Sequence, residues 1–126
     1  MPTPVAIDGD TKAETSSAKH PSDTNQSGKW TLVKLTVVKG SKVSVGNKMV
    51  ELSAMASWSY VGGSTPSPGG PVPLPPIPDS AMLQANPTKL KDAGQNILLD
   101  GDEIAGAVDG GNKIVVTSSQ TKLSTD

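Results

Sequence analysis

The sequence predicts a small all-β domain, a cone of short β-strands and hairpins. Residues 30–54 are rich in β-branched side chains and carry almost no helix signal. Steps such as Gly46-Asn47 and Asp109-Gly110, bounded by Val and Ile, are typical of hairpin turns. With two Trp, one Tyr and no Phe in 126 residues, the core is expected to be small or elongated, in a single domain over 1–126.

The N-terminal region predicts an extended polar arm. Residues 9–28 are mostly Ser, Thr, Asp, Lys and Gln and show no hydrophobic period, so we expect a loop or arm outside the core. A first strand is predicted at 30–38, because its residues are mostly β-branched or aromatic. This strand is expected to end at a turn formed by Lys39-Gly40.

A hairpin is predicted around Gly46-Asn47. A two-residue loop at this point places Lys42 opposite Glu51, where the two side chains would form an ion pair. The other face of the hairpin is then entirely aliphatic, with Val43, Val45, Val50 and Leu52. The charges and the aliphatic face agree on one register.

A proline-rich loop is predicted at residues 62–80, which hold seven of the eleven prolines. Proline lacks the backbone donor that a sheet interior requires, so we expect an extended, partly polyproline II connection over a surface. A stiff linker is the simpler interpretation, and a PxxP ligand for a partner domain is the alternative. The following residues, 80–85, are expected to form one helical turn before Pro87.

The C-terminal third predicts further strands. Alternating apolar residues and turn dipeptides place strands near 96–100 and 103–108, a turn at 109–112 and a strand at 113–119. Two short sequence motifs recur in the chain, and we call them echoes. Both suggest β units of similar shape around a common axis. One is "GNKMV" at 46–50 with "GNKIV" at 111–115. The other is "SKVS" (41–44), "TKLK" (88–91) and "TKLS" (121–124), at unequal spacings of 47 and 33 residues.

Two Asp-Gly-Asp tripeptides, at 8–10 and 100–102, raise the question of an acidic site. An EF-hand loop needs a Glu twelve positions along, where this chain has Lys19 and Gly111. Two carboxylates two residues apart on one strand end do not span the cleft that glycoside hydrolysis needs. We therefore interpret both tripeptides as turns, with an irregular surface calcium site as the alternative.

No residue is assigned to catalysis, to a cofactor or to a metal. His20 is the only histidine, lies in a polar segment and is expected to be a solvated loop residue. The chain has no Gly-x-Ser-x-Gly elbow, Walker-type loop or dinucleotide fingerprint, so we predict a protein that is not an enzyme. No docking residues for a partner are assigned.

The charge and targeting signals narrow the function classes further. The net charge is -1, and all eleven basic residues are lysines, so we expect no nucleic-acid partner. The absence of Cys excludes disulfides and thiolate zinc sites. The N-terminal residues lack the basic and apolar regions of a secretory signal, so we expect synthesis in the cytoplasm without a signal peptide.

Three segments resemble the units of proline-alanine-alanine-arginine (PAAR) repeat proteins. "TPVAIDGDTKA" (3–13) resembles the opening unit with its Gly-Asp step, and "GSKVSVGNKMVELSA" (40–54) resembles the strand-turn-strand unit. "NPTKLKDAGQNILLDGDEIAG" (86–106) looks like a second such unit, and residues 69–78 are similar to a proline-rich loop between units. The Pro-Ala-Ala-Arg motif itself is absent, as is the family's zinc set of several histidines and a cysteine.

The resemblance implies a structural role at the tip of a contractile injection system, such as a type VI secretion system or a phage-tail-like particle. One tip would cap a trimeric β-helical spike protein (VgrG-like), sharpen it for puncturing a target membrane and leave the cell with the particle, with an attached effector as a possible passenger. It also implies an apex held by packing alone, or His20 in an unconventional metal site. The alternatives are another β-rich phage, baseplate or adhesin-like module, and a small calcium- or carbohydrate-binding β domain.

Overall fold

The computed structural model describes residues 2–125, and the polypeptide over this range is all-β, without a helix. The predicted fold class is therefore confirmed. The predicted single domain of 1–126 also includes two terminal residues that lie outside the described range. The strands are β1 (Thr3–Pro4), β2 (Thr11–Glu14), β3 (Lys29–Val45), β4 (Lys48–Val61), β5 (Ser64–Thr65), β6 (Val72–Pro73), β7 (Ile77–Gln84), β8 (Lys91–Asp92), β9 (Gln95–Asn96), β10 (Glu103–Ala105), β11 (Lys113–Val116) and β12 (Ser124–Thr125).

The largest sheet has the order β3-β4-β7, and all its strands are antiparallel. The pairing of β3 with β4 runs from Lys29 opposite Val61 to Val45 opposite Lys48, so a single hairpin extends through the molecule. Strand β4 alternates buried with more exposed residues along most of its length, as a half-buried strand should. Strands β3 and β4 are longer than the sequence predicts.

The predicted turn at Lys39-Gly40 is wrong. The chain continues as part of β3, and the strand absorbs the irregularity through register shifts between Val38 and Ser44. Gly40 is needed there because a Cβ on it would lie 2.3 Å from a carboxylate oxygen of Asp92. A Gly in a strand-like segment marks a close approach of another group here, not a reversal of the chain.

The hairpin at Gly46-Asn47 is confirmed, with Val45 opposite Lys48 and Ser44 opposite Met49. The predicted ion pair of Lys42 with Glu51 is wrong, because the register shift brings Lys39 opposite Glu51 and Glu51 is buried. The aliphatic face is confirmed, since one hydrophobic cluster contains Val43, Val45, Val50 and Leu52.

The predicted helical turn at 80–85 is also wrong. Residues up to Gln84 belong to β7, in which Asp79, Ala81 and Leu83 are buried and the residues between them are exposed. This alternation has the period of a strand, and pairing with β4 supplies the backbone bonds that a single helical turn lacks.

The predicted polar arm at 9–28 is only partly correct. Its first residues form β2, which pairs with β11 between Thr11–Val116 and Glu14–Lys113. Further along, Asp23 is buried and its carboxylate binds the neighbouring loops. A polar segment is therefore packed against the fold through hydrogen bonds instead of through apolar contacts.

The proline-rich residues 62–80 form an irregular connection up to residue 76, as predicted, apart from the short pair β5-β6. The last part of the segment belongs to β7. Pro78 is accommodated there because β7 is an edge strand of its sheet.

The C-terminal third contains shorter strands than predicted. The predicted strand at 96–100 is reduced to β9 and a single bridge at Leu99, and the strands at 103–108 and 113–119 to β10 and β11. The turn at 109–112 is confirmed, since the Asn112 N–H donates to the Asp109 carbonyl at 3.1 Å. Strands β10, β11 and β2 form one sheet.

Two hydrophobic clusters divide the interior. The first contains both tryptophans and Tyr60, and packs between the large sheet and β11. The second is entirely aliphatic and lies where the hairpin of β3 and β4 turns. Its fully or nearly buried members are Val5, Ile7, Val50, Leu52 and Ile97.

Candidate functional site

Three segments that are distant in sequence close a triangle of backbone hydrogen bonds. The Ala6 N–H donates to the Leu98 carbonyl at 2.8 Å, the Leu98 N–H to the Glu51 carbonyl at 2.8 Å, and the Glu51 N–H to the Ala6 carbonyl at 3.0 Å. The three residues are fully or almost fully buried. They are separated by 45 and 47 residues, so the chain contributes one segment to each corner of a pseudo-threefold arrangement.

An antiparallel strand pair precedes each corner, and the register is the same in all three. Ser44 pairs with Met49 in the first, and Lys91 with Asn96 in the second. The third pair is formed by opposite parts of the chain, with Ser124 opposite Pro4. We call these three pairs, residues 41–50, 88–97 and 121–125 with 2–5, the hairpin triad.

The first two pairs also share their turn. Gly46 and Asn47 have φ angles of 58° and 71°, and Ala93 and Gly94 have 47° and 81°. Positive φ at both central residues is the signature of a type I′ turn, whose twist matches the flanking strands. The third pair reaches the same geometry without this turn.

The aliphatic cluster repeats the triangle in its side chains. One set, just before the corners, is Val5, Val50 and Ile97; the next, just after them, is Ile7, Leu52 and Leu99; the third, on the opposing strands, is Val43, Leu90 and Leu123. Members of the first set are completely buried, and those of the third set are partly exposed. Each corner therefore contributes the same kind of side chain at the same position.

Of the two sequence echoes, one corresponds to a structural repeat and the other does not. The Ser/Thr-Lys-Val/Leu echo occupies equivalent positions of the hairpin triad, so it reflects a structural repeat. The Gly-Asn-Lys echo does not, because Asn47 lies in a turn whereas Asn112 is buried and its amide donates to Asp79 at 3.0 Å.

The two Asp-Gly-Asp tripeptides form twin turns after their corners. In one, the Ile7 N–H donates to the Asp10 carboxylate at 2.9 Å and the Asp10 N–H to the Ile7 carbonyl at 2.9 Å. The other repeats this with Leu99 and Asp102, at 2.9 and 3.0 Å. The second carboxylate of each tripeptide therefore serves a turn, and the middle Gly has a positive φ, 98° at Gly9.

Glu51 is the one polar residue among the three corners. Its side chain is 1% exposed and accepts a 2.5 Å hydrogen bond from the Thr11 hydroxyl. Burial raises the pKa of Glu51 above its ordinary value of 4.5, and the charges of Asp10 and Asp8 add to this effect, against the opposing hydrogen bonds. The corner thus favours a protonated carboxyl group.

Asp92 holds the irregular part of β3. Its carboxylate accepts hydrogen bonds from the N–H groups of Ser41, Lys42 and Val43 at 3.0, 2.9 and 2.7 Å. The bond from Val43 and those from its neighbours keep the pKa of Asp92 below its ordinary value of 3.8, although burial opposes ionisation. One side chain of the second hairpin thereby anchors the first.

The opposite end of the large sheet is closed by Asp23. Burial opposes its ionisation, yet hydrogen bonds from Tyr60, Ser64, Gly28 and Ser27 hold the pKa of Asp23 well below its ordinary value. The Tyr60 hydroxyl donates at 2.5 Å and the Gly28 N–H at 2.7 Å. The loops of this end are therefore fixed to the strands by one carboxylate.

His20 is not the solvated loop residue that the sequence predicts. It is partly buried, its ring lies 6.4 Å from that of Trp30 and 6.0 Å from that of Tyr60, and its Nδ1 accepts from the Ser22 N–H. Among residues 2–125 no group of three or more His, Cys, Asp or Glu side chains could hold a metal ion. The same range contains no helix long and apolar enough to cross a membrane.

Comparison with known proteins adds no relative. No family model, no curated protein and no solved structure matches this chain. The hairpin triad is therefore the candidate functional site on geometry alone. Sequence reasoning missed the triangle, and the only signal for it was the Ser/Thr-Lys-Val/Leu echo, whose 47-residue interval equals the interval between two corners.

Proposed function

We propose that this protein is a structural spike tip that caps a trimeric β-helical spike of a contractile injection system. The observation that carries the proposal is the hairpin triad, in which one chain presents three strand pairs of the same register around a triangle. A single chain contacts three identical partner chains equally well only when it repeats its own contact surface three times. The sequence resemblance to the tip family points to the same role.

The path of the large hairpin supports a mechanical role. Strands β3 and β4 connect the aliphatic cluster to the end at which Trp30 packs against Tyr60, with ring centres 5.3 Å apart. Load applied at the hairpin triad would pass along the paired strands to the opposite end of the sheet. There the Asp23 carboxylate accepts hydrogen bonds from the Tyr60 hydroxyl and the Ser64 N–H. Puncturing a membrane requires this stiffness and no chemistry.

The alternative of a calcium-binding module receives less support. The carboxylates of Asp10, Asp92 and Asp102 accept hydrogen bonds from backbone N–H groups. These side chains are therefore engaged in the fold, and residues 2–125 contain no group of three or more His, Cys, Asp or Glu side chains that could supply the several oxygen ligands of a calcium ion.

The test is stoichiometry. The proposal expects a gene for a trimeric spike protein beside the gene for this chain. The two proteins are co-expressed, and native mass spectrometry counts the subunits of the purified complex. We expect one copy of this chain per three spike chains, and electron microscopy should place it at the apex. A monomer without affinity for the trimer, or three copies per trimer, would refute the proposal.

A further inference from the structure

The Ser/Thr-Lys-Val/Leu motif places a lysine at the same position of each strand pair. Lys42, Lys89 and Lys122 are all exposed, and each precedes a partly buried aliphatic residue of the central cluster. The lysines are exposed, whereas the residue that follows each of them packs against the aliphatic cluster, so the three cationic side chains lie in solvent beside that cluster. The hairpin triad therefore carries three similarly placed cationic groups.

The charge of the chain is distributed unevenly around this feature. The hairpin triad contains five of the eleven lysines but only one of the twelve acidic residues, Asp92. That carboxylate is buried and bound by three backbone N–H groups. The hairpin triad is thus richer in lysine than the rest of the chain, and a cationic surface favours an anionic partner.

We propose that Lys42, Lys89 and Lys122 form the recognition surface for a homotrimeric protein end on which each chain presents one carboxylate. The inference rests on the proposed spike-tip function and names the chemistry of its docking site. Threefold repetition favours a trimer over a single anionic peptide, because an asymmetric partner would engage only one of the three lysines. The half-buried Val43, Leu90 and Leu123 lie beside the charges and add apolar contact area.

Charge reversal tests the proposal. The triple variant Lys42→Glu, Lys89→Glu, Lys122→Glu is compared with Lys12→Glu, Lys29→Glu, Lys34→Glu, which reverses three exposed lysines outside the hairpin triad. Binding to the purified spike trimer of the co-expression experiment is measured at low and high salt. We expect the first variant to lose roughly 100-fold or more in affinity at low salt, because like charges then face each other, and the control about threefold or less. Thermal melting verifies that both variants fold.

Lys42 also lies close enough to Asp92 to lower the pKa of that carboxyl group, so a Glu there disturbs the fold as well as the surface. The triple Lys→Gln variant at the same positions avoids this repulsion and should still weaken binding about tenfold. The three single Lys→Gln changes, at positions 42, 89 and 122, should each weaken binding by the same factor, since a threefold partner presents the same carboxylate to each.

The outcomes separate the two proposals. If the wild-type chain binds the trimer and the two triple reversals behave alike, the lysine surface is refuted and the spike-tip function stands. A loss confined to one of the three single variants would also refute it. If the wild-type chain binds anionic phosphatidylserine vesicles but not the trimer, both proposals fail.

Discussion

At the residue scale, buried carboxylates join segments of the chain that are distant in sequence. Asp23, Asp79 and Asp92 are buried, and each accepts several hydrogen bonds from backbone N–H groups of other segments. For Asp79, burial opposes ionisation, but bonds from Asn112 and three backbone groups hold its pKa below 3.8. Charge-assisted bonds of this kind replace the aromatic contacts that the composition lacks.

The lowered pKa values of these three carboxyl groups make the free energy of unfolding depend on pH in acid. A carboxyl group whose folded pKa is below its unfolded value contributes stability above the unfolded pKa and loses it as the pH falls through the folded pKa. Asp23, Asp79 and Asp92 all have this sign relative to 3.8. Their contribution is therefore complete at neutral pH and lost only in acid below about pH 4.

Glu51 has the opposite sign and gives the first residue-scale prediction. The pKa of Glu51 in the folded state lies above its ordinary value of 4.5. Between pH 4.5 and that folded-state pKa, the folded protein binds more protons than the unfolded chain, so the free energy of unfolding falls as the pH rises through this window. Glu51→Gln keeps an acceptor for Thr11 and removes the charge. We expect its urea midpoint to be independent of pH in that window and to equal or exceed that of the wild type at pH 7.

The exposed Glu103→Gln is the matched control and should retain the wild-type pH dependence. Parallel pH profiles for Glu51→Gln and the wild type would show that the buried corner does not titrate as we infer.

At the scale of elements, the two hairpins of the triad have the same turn type but different residues. Gly46-Asn47 and Ala93-Gly94 both adopt positive φ at their two central positions. Ala is the poor choice among them, because its Cβ approaches the following carbonyl oxygen in the left-handed region, whereas Gly has none and Asn tolerates this region. The second turn therefore stores backbone strain that the first turn avoids.

Replacing Ala93 by Asn should relieve that strain. Asn-Gly is the preferred pair for a type I′ turn, and we expect a gain of about 1 kcal/mol in the free energy of unfolding, roughly 3–5 °C in melting temperature. Chemical denaturation and calorimetry measure it. Ala107→Asn, at an exposed loop position without positive φ, is the control and should leave the stability unchanged. A destabilised Ala93→Asn protein would mean that the turn is held by other contacts.

At the scale of the whole molecule, the chain passes three times through the same arrangement. Each pass contributes a strand pair and a corner of the triangle, and the second and third pairs of the hairpin triad continue into an Asp-Gly-Asp turn. The first pair continues as β4 into the large sheet. The pseudo-threefold order therefore belongs to the hairpin triad, and the rest of the protein is built asymmetrically on it.

This arrangement predicts that a circular permutant folds. Thr3 lies opposite Thr125, as Lys48 lies opposite Val45 in the first hairpin. We expect a chain with Thr125 linked to Thr3 through Asn-Gly, and opened between Ala93 and Gly94, to melt within about 5 °C of the wild type, because loop closure at such a short connection costs little.

A second permutant, opened between Ser41 and Lys42, is the control. Both N–H groups bind the Asp92 carboxylate, so cutting there should unfold the protein or lower its melting temperature sharply. If both permutants behaved alike, the equivalence of the three pairs would be the wrong description of the fold.

The sequence by itself determined the features that depend on neighbouring residues. β-Branched alternation and turn dipeptides were sufficient for the all-β class, for the hairpin at Gly46-Asn47 and for its aliphatic face. These signals are local, because φ preference and the two-residue period act within a few positions. The same local logic failed at Lys39-Gly40 and at 80–85, where a distant carboxylate and a neighbouring strand decide the backbone.

Only the tertiary structure decided the triangle and its carboxylate anchors. Ala6, Glu51 and Leu98 meet through backbone N–H and carbonyl groups. Nearly every residue carries these groups, so the identity of the side chains does not predict this pairing. Asp23, Asp79 and Asp92 likewise look like ordinary polar loop residues until the fold surrounds them with donors. The repeated lysine motif could be seen in the sequence, but its meaning required three strand pairs brought into one register.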